Sequence, residues 1–418
     1  MSAVLPEEPA AASAKVLRYH AGHRPPSLQE SIPVSSKQSV YEYLKNLSPK
    51  EEDMSPNPEL TICSLDARTV DVPMQRPLTT GGGVIETAPL VLIDLHTEEG
   101  ITGRSYVFCY TPMALKPVAQ ILSSLGALIE GDSLAPAVIE QKLQQSFRLL
   151  GRQGLTGMAM AGVDTAAWDA LAKAHDLPLV RLLGGEPRKI PAYNSCGLGM
   201  IGSERAANEA RELVAPGFAA LKIRLGYPEL ATDVEVVRAV RRSVGEDVQL
   251  MSDYNQSLSV AEARRRSAVL DEEGLYWIEE PVRADDYSGH AQVRREAKTA
   301  IQTGENWWGT HDMAKSIEAG ASDYAMADAV KIGGVTGWLR AATLAESAGL
   351  QLSSHLYPEI SAHFLAVSPT GHWLEYVDWA NPILEEPLRI EDGQASVSGA
   401  PGIGIRWNEE SVQRYSVK

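Results

Sequence analysis

The stretch VQLMSDYNQSL, residues 248–258, reads as a short apolar strand that ends in an acid, Asp253, and then turns polar. Twenty-six residues later YWIEEP (276–281) repeats the pattern with Glu279, and 26 further on IQTGEN (301–306) repeats it with Glu305. A strand, a polar turn and a helical segment in each interval make one βα unit. AYNSC (192–196), AALKIRL (219–225), YAMADAVKI (324–332), LQLSSHL (350–356) and HWLEYV (372–377) extend the series to eight strands. The expectation is an α/β protein built on a (β/α) barrel from about residue 187 to 376.

Upstream the pattern changes. LTICSLDARTVDVPM and PLVLIDLHTEEGITGRSYVFCY look like antiparallel strands, with QRPLTTGGGVIETA between them as a loop. AVIEQKLQQSFRLLG and MAGVDTAAWDALAKAH carry apolar residues at three- and four-residue spacing, so they read as helices. Strands followed by helices predict a small α+β domain over 58–186. Residues 1–57, rich in Pro, Ser, Ala and charge, bury little and read as an extension, arm or linker.

Acids outnumber Lys and Arg 54 to 38, a formal charge of −16, which argues against a nucleic-acid partner. Cys63, Cys109 and Cys196 are widely spaced with no CxxC, fitting neither a disulfide framework nor a zinc site. The start, MSAVLPEEPAAASAKVLRY, lacks the basic and apolar regions of a signal peptide, and no uncharged apolar run reaches 18 residues. A cytoplasmic protein with no membrane partner is the expectation.

Barrel active sites are built at the C-terminal ends of the strands. Asp253, Glu279 and Glu305, one βα unit apart, should converge there, and three converging acids suit a hard cation such as Mg²⁺. Glu280, next to Glu279, faces the other way along the strand and reads as structural. Asp328 and His355, 27 residues apart, should meet as a carboxylate–imidazole pair, a general base near neutral pH. Glu375 closes the last strand as a candidate general acid or hydrogen-bond donor, or as an interface acid. Lys222 and Arg224, at i and i+2, share a strand face and would meet an anionic substrate end. The glycines of KIGGVTG lack the phosphate-loop spacing and read as a βα connection. Gly81–Gly83, with Leu78, Val84 and Ile85, could form a mobile loop over a ligand or an ordinary hairpin loop.

The motifs KIR, SDYNQSL, WIEEP, GENWWG, DAVKIGGVTGW, SSHLYPEISAH and HWLE, in this order, resemble the enolase superfamily and its mandelate racemase subgroup. The resemblance runs from about Leu60 to the C-terminus. It implies a modified TIM barrel, (β/α)7β, with an N-terminal α+β capping domain and a C-terminal segment, 377–418, returning to the cap. It further implies that Asp253, Glu279 and Glu305 bind Mg²⁺ and that Asp328 and His355 form a base dyad. Glu375 would donate a hydrogen bond to the substrate carboxylate, with Lys222, Ser195 and Asn255 contacting the substrate or tuning the site. Leu78 to Ile85 would cap the site, with Tyr110 near it. The implied partner is a small-molecule carboxylate, and the implied assembly a homo-oligomer, an octamer or another multimer. The shared chemistry is removal of the proton α to a carboxylate through an enediolate.

One position departs from the pattern. The subgroup has Lys-X-Lys where this chain has Lys222-Ile223-Arg224, and arginine, with a pKa above about 12, is a reluctant base. A racemase or epimerase of a 2-hydroxy acid needs a proton-exchanging group on each face. An acid-sugar dehydratase needs only the His355–Asp328 dyad. Arginine chemistry favours the dehydratase, with Arg224 as a carboxylate or hydroxyl clamp, but the whole-chain match and the apolar cap loop outweigh it. The expectation is a racemase or epimerase in which Arg224 still serves as the second base, its proton affinity lowered by Lys222 and the metal, with the acid-sugar dehydratase as the alternative. A non-catalytic metal-binding barrel is a third reading.

Overall fold

The structure is a computed structural model that describes residues 59–417; the expected arm at 1–57 lies outside the described residues. Three antiparallel strands open the fold: β1 (Ile62–Thr80), β2 (Gly83–Thr97) and β3 (Thr102–Phe108), in the order β1-β2-β3. Helices Leu115–Ile129, Pro136–Ser146 and Leu155–Ala174 follow. The last of these carries Ala159, Ala161, Gly162, Ala166 and Ala170 among its buried positions, so its backbone can lie close on the sheet. By length and composition Pro112–Ile129 could cross a membrane. Here Leu115, Val118, Leu122, Leu125 and Ile129 are buried in the cap core, while Lys116 and Gln120 are exposed on the other side.

The expected loop between β1 and β2 is instead a continuous hairpin. Leu78 pairs with Ile85, Thr79 with Val84 and Thr80 with Gly83, leaving only Gly81 and Gly82 as the turn. The β-branched Thr79, Thr80, Val84 and Ile85 favour extended backbone and carry the strands past the irregularity between Pro73 and Leu78. The tip is tied to the barrel by the Met200 N–H, which donates to the Thr79 carbonyl at 2.7 Å.

Eight parallel strands form the barrel: β4 (Lys189–Asn194), β5 (Ala220–Arg224), β6 (Gln249–Asp253), β7 (Trp277–Glu279), β8 (Ala300–Thr303), β9 (Tyr324–Asp328), β10 (Gln351–His355) and β11 (Leu374–Tyr376). Seven helices separate them, and β11 closes the ring by pairing with β4. The architecture is the expected modified TIM barrel with an N-terminal capping domain. Side-chain alternation sorts each strand. On β5, Leu221 and Ile223 pack outward among helix residues such as Val236 and Val240, while Ala220 joins Tyr193, Met251, Trp277 and Met326 in a separate interior cluster. That cluster fills the barrel beneath the polar strand ends. Trp277 is fully buried there, edge-on to Tyr193 at 5.4 Å, and its truncation to Ala would cost roughly 3–5 kcal/mol.

The C-terminal segment runs back to the cap. The Trp407 indole donates to Asp94 at 2.9 Å, and the Val417 N–H donates to the Thr69 carbonyl at 3.0 Å.

Candidate active site

Asp253 and Glu279 end β6 and β7, paired in register. Glu305 arrives differently: β8 stops at Thr303, and the chain turns through Gly304, whose φ of +134° and 2.5 Å clearance from the Met326 carbonyl exclude a side chain. The turn delivers Glu305 to the same height, and the three acids present ligand oxygens within 4.8 Å of one another. Burial, together with mutual repulsion, pushes the carboxyls of Asp253 and Glu279 above their usual range, although Lys222 opposes it. Glu305 is held below its range, burial being outweighed by His355, Lys222 and Lys331.

Lys222 stands beneath this cluster, 1% exposed, with its ammonium 2.7 Å from Glu375 Oε1, 2.9 Å from Glu279 Oε1 and 3.4 Å from Asp253 Oδ2. Burial works against its charge, but the three carboxylates raise its pKa well above the usual lysine range. One ammonium faces three carboxylates, so the cluster is short of positive charge. A charge count agrees. Asp253, Glu279, Glu280, Glu305, Asp328 and Glu375 are all buried, against Lys222, Arg224, Lys331 and His355. With His355 counted as imidazolium the deficit is two charges, which one divalent ion makes up. Three oxygen ligands with that deficit fit Mg²⁺.

Opposite, His355 ends β10 beside Asp328 on β9, in register. Its Nδ1 lies 2.8 Å from Asp328 Oδ2, and its Nε2 faces Glu305 at 3.3 Å. Asp328 is fixed by the main-chain N–H groups of Val330 and Lys331, which donate to its Oδ1 at 2.8 and 2.7 Å. Burial lowers the histidine's proton affinity, but Glu305, Glu375 and Asp328 together raise it above the usual value. Nδ1 is committed to Asp328, so Nε2 is the nitrogen that can exchange a proton. The Tyr110 hydroxyl donates to Asp328 Oδ2 at 3.3 Å from the cap side.

Arg224 is the second cation of β5. Its Nη1 donates to the carbonyls of Ser195 at 3.1 Å and Gly197 at 2.9 Å, and its Nη2 donates to Ser195 Oγ at 2.7 Å. Only Nε is buried without a partner. The loop after β4 therefore holds the guanidinium as a fixed donor, a poor setting for a base.

Ser195 is fully buried, accepting from Arg224 and donating to Glu375 Oε1 at 2.8 Å, a place that suits the tuning role among its two expected ones. Glu375, expected to donate a hydrogen bond, is an acceptor here: Oε1 takes Lys222 and Ser195, and Oε2 takes the Leu356 N–H at 3.0 Å. Burial is outweighed by Lys222, His355 and Arg224, which hold the group far below the usual carboxylate range.

Asn255, at a φ of +45°, donates its main-chain N–H and its Nδ2 to Asp253 at 2.8 and 3.0 Å. Leu78, Ile85, Tyr110 and Asn255 all line a cavity of about 420 Å³ that also contains Lys222, Arg224, Asp253, Glu305, His355 and Glu375. A larger hollow, about 680 Å³, lies between the cap helices and the barrel loops but holds none of the triad, so the chemistry belongs to the smaller one. Sequence reasoning missed Asn306, Trp308 and Lys331, which also line the 420 Å³ cavity. Each sits inside a motif already quoted, GENWWG or DAVKIGG, whose acids and glycines drew the reading away from them.

Residues 64–184 match the family model described as mandelate racemase / muconate lactonizing enzyme, N-terminal domain, and residues 205–411 match the one described as enolase C-terminal domain-like. The chain is 30% identical over 339 residues to the L-talarate/galactarate dehydratase of Salmonella typhimurium, covering 81% of this chain and 83% of that one. It is 29% identical over 355 residues to the 3,6-anhydro-alpha-L-galactonate cycloisomerase of Streptomyces coelicolor, covering 84% and 98%. Among solved structures it is similar to an enolase from Bradyrhizobium complexed with magnesium and mandelic acid. That match has a TM-score of 0.83 and 46% identity, over 86% of this chain and 99% of that one.

Proposed function

This chain is a magnesium-dependent enzyme of the mandelate racemase / muconate lactonizing enzyme family within the enolase superfamily, and we propose that it dehydrates a 2,3-dihydroxy carboxylate by single-base proton transfer at His355. The observation that carries this reading is Arg224. Its guanidinium is spent on Ser195 and Gly197 where a racemase would hold an exchangeable amine.

In this reading Asp253, Glu279 and Glu305 hold Mg²⁺. When bound, the ion supplies electrophilic stabilisation of negative charge on the substrate carboxylate. Lys222 adds a fixed positive charge beside the same carboxylate, held ready by Glu375 and Glu279. Asp328 orients the His355 ring and stabilises its protonated form. Nε2 takes the proton from Cα, and the resulting enediolate expels the β-hydroxyl, which leaves as water with the proton that Nε2 returns. The enol product becomes a 2-keto-3-deoxy acid by gaining one solvent proton at C3. Asn255, bonded to Asp253, lines the cavity as a donor for substrate hydroxyls.

A specific observation favours racemisation as a second reading. Leu78, Ile85, Phe108, Leu155 and Trp379 make much of the cavity wall apolar, and the Bradyrhizobium structure contains mandelic acid. Incubation of sugar acids and of each mandelate enantiomer with enzyme and Mg²⁺ in D₂O separates the two. The dehydratase reading expects a 2-keto-3-deoxy acid carrying deuterium at C3. Inversion of an aryl 2-hydroxy acid, with no keto acid from any sugar acid, would overturn it.

A further inference from the structure

Lys331 is a nearly buried cation, 8% exposed, and among the described residues it makes no ion pair. Buried ammonium groups are costly without compensation, so what this one contacts needs a reason. Its Nζ donates at 2.7 Å to Oδ1 of Asn306 and lies 4.3 Å above the Tyr110 ring. Lysine only donates, so this contact fixes which way the Asn306 amide points: carbonyl toward Lys331, NH₂ away from it. The NH₂ then meets two carboxylates, donating to Glu305 Oε1 at 3.0 Å and to Glu280 Oε2 at 2.8 Å. The same residue reaches the other half of the site through its main chain, where the Lys331 N–H donates to Asp328 Oδ1 at 2.7 Å.

We propose that Lys331 and Asn306 act as one positioning unit for the metal site: the ammonium locks the amide, and the amide holds Glu305 by Oε1, fixing the carboxylate in its place beside Asp253 and Glu279. Neither residue touches the reacting atoms in this account. It also gives Glu280 a place, since its strand-opposed direction and φ of +35° bring it to the same amide. The inference rests on the assignment of Glu305 as a metal ligand in the proposed function, and the test below tells the two apart.

Mg²⁺ affinity is measured calorimetrically on metal-free full-length protein, and the symmetry of bound Mn²⁺ is followed by electron paramagnetic resonance. Lys331→Met keeps the stem against Tyr110 and removes the charge; Asn306→Ala removes the amide. Each is expected to weaken Mg²⁺ binding about 10- to 100-fold, the usual effect of losing a group behind a ligand, and to broaden the Mn²⁺ signal. Because Lys331 acts through Asn306, the double variant should lose no more than either single one, and Lys331→Arg should recover most of the affinity. Wild-type affinity in Asn306→Ala, or losses that add in the double variant, would overturn the proposal. Asn306→Ala alone decides the matter if Lys331→Met does not fold. Glu305→Gln is the control: if it too binds Mg²⁺ normally, the ligand assignment itself is wrong.

Discussion

On the β5 wall of the cavity, Lys222 and Arg224 are cations held by the protein's own acceptors: Lys222 by three carboxylates, Arg224 by two carbonyls and a hydroxyl. On the β9–β10 wall, His355 has one nitrogen tied to Asp328 and the other turned toward Glu305 and the cavity. Both walls are buried and charged, yet only one can exchange a proton at neutral pH. A fixed cation stabilises charge, whereas an imidazole with a free nitrogen moves it. The asymmetry between the walls, more than either wall alone, supports chemistry on one face of the substrate.

The largest effect should come from breaking the exchanging wall. His355→Asn keeps a polar side chain near Asp328 but cannot carry the proton. Keto-acid formation and deuterium exchange at Cα should both fall about 10³- to 10⁴-fold. Residual exchange near the wild-type rate would show that the base lies elsewhere. Next, Arg224→Met strips donors from the Ser195 and Gly197 carbonyls and the Ser195 hydroxyl, all buried. Several acceptors left unpaired should lower stability by about 3–4 kcal/mol in urea unfolding, and Glu375 should lose the support that Ser195 relays. Arg224→Lys sharpens the comparison in the other direction by placing an exchangeable amine on the β5 wall. Exchange of the opposite enantiomer's α proton, absent in the parent, is the expected gain.

The barrel was legible because its signal repeats. Asp253, Glu279, Asp328 and His355 stand at strand ends where a period of 26 or 27 residues puts them, and alternation decides which face each occupies. What could not be read is what happens after a strand ends. Glu305 reaches the site by a glycine turn and not by the strand itself. The hairpin at Gly81–Gly82 looked like a loop because its glycines outweighed the β-branched residues around them. The states of Ser195 and Glu375 depend on Arg224 and Lys222, partners 29 or more residues away whose side-chain directions no local pattern encodes. The glycines of KIGG were correctly read as a connection, but their packing reason was hidden. A Cβ on Gly334 would sit 2.6 Å from the carboxylate of Asp164 on the cap helix Leu155–Ala174.

Asp164 extends the contrast between compensated and uncompensated charge to the cap. It is 3% exposed and meets only Thr336, whose N–H and hydroxyl donate to it at 3.0 and 2.5 Å. Burial raises its carboxyl to about 7 despite those bonds. An acid whose folded pKa lies above its unfolded value, near 3.9, contributes fully below that value and loses its contribution as pH rises through about 7. Between about pH 5 and pH 8 the parent chain should therefore lose roughly 2–3 kcal/mol that Asp164→Asn does not lose. Urea unfolding at the two pH values measures the difference, and parallel behaviour of the two chains would mean that Asp164 is ionised throughout.

The smallest effect probes how tightly the cap holds the exchanging wall. Tyr110 sits at a φ of +59°, with its ring under the Lys331 ammonium and its hydroxyl 3.3 Å from Asp328 Oδ2, the oxygen that also receives His355. At that length the hydroxyl is a weak second donor, and Val330 and Lys331 already fix the other oxygen of Asp328. Tyr110→Phe keeps the ring and removes only the hydroxyl, so turnover should drop about three- to tenfold, equivalent to about 1 kcal/mol. If the hydroxyl only orients the dyad, the change should appear in kcat while KM stays near the parent value. A rise in KM with unchanged kcat would instead make Tyr110 a substrate contact. The wall that exchanges protons would then be held by the barrel alone.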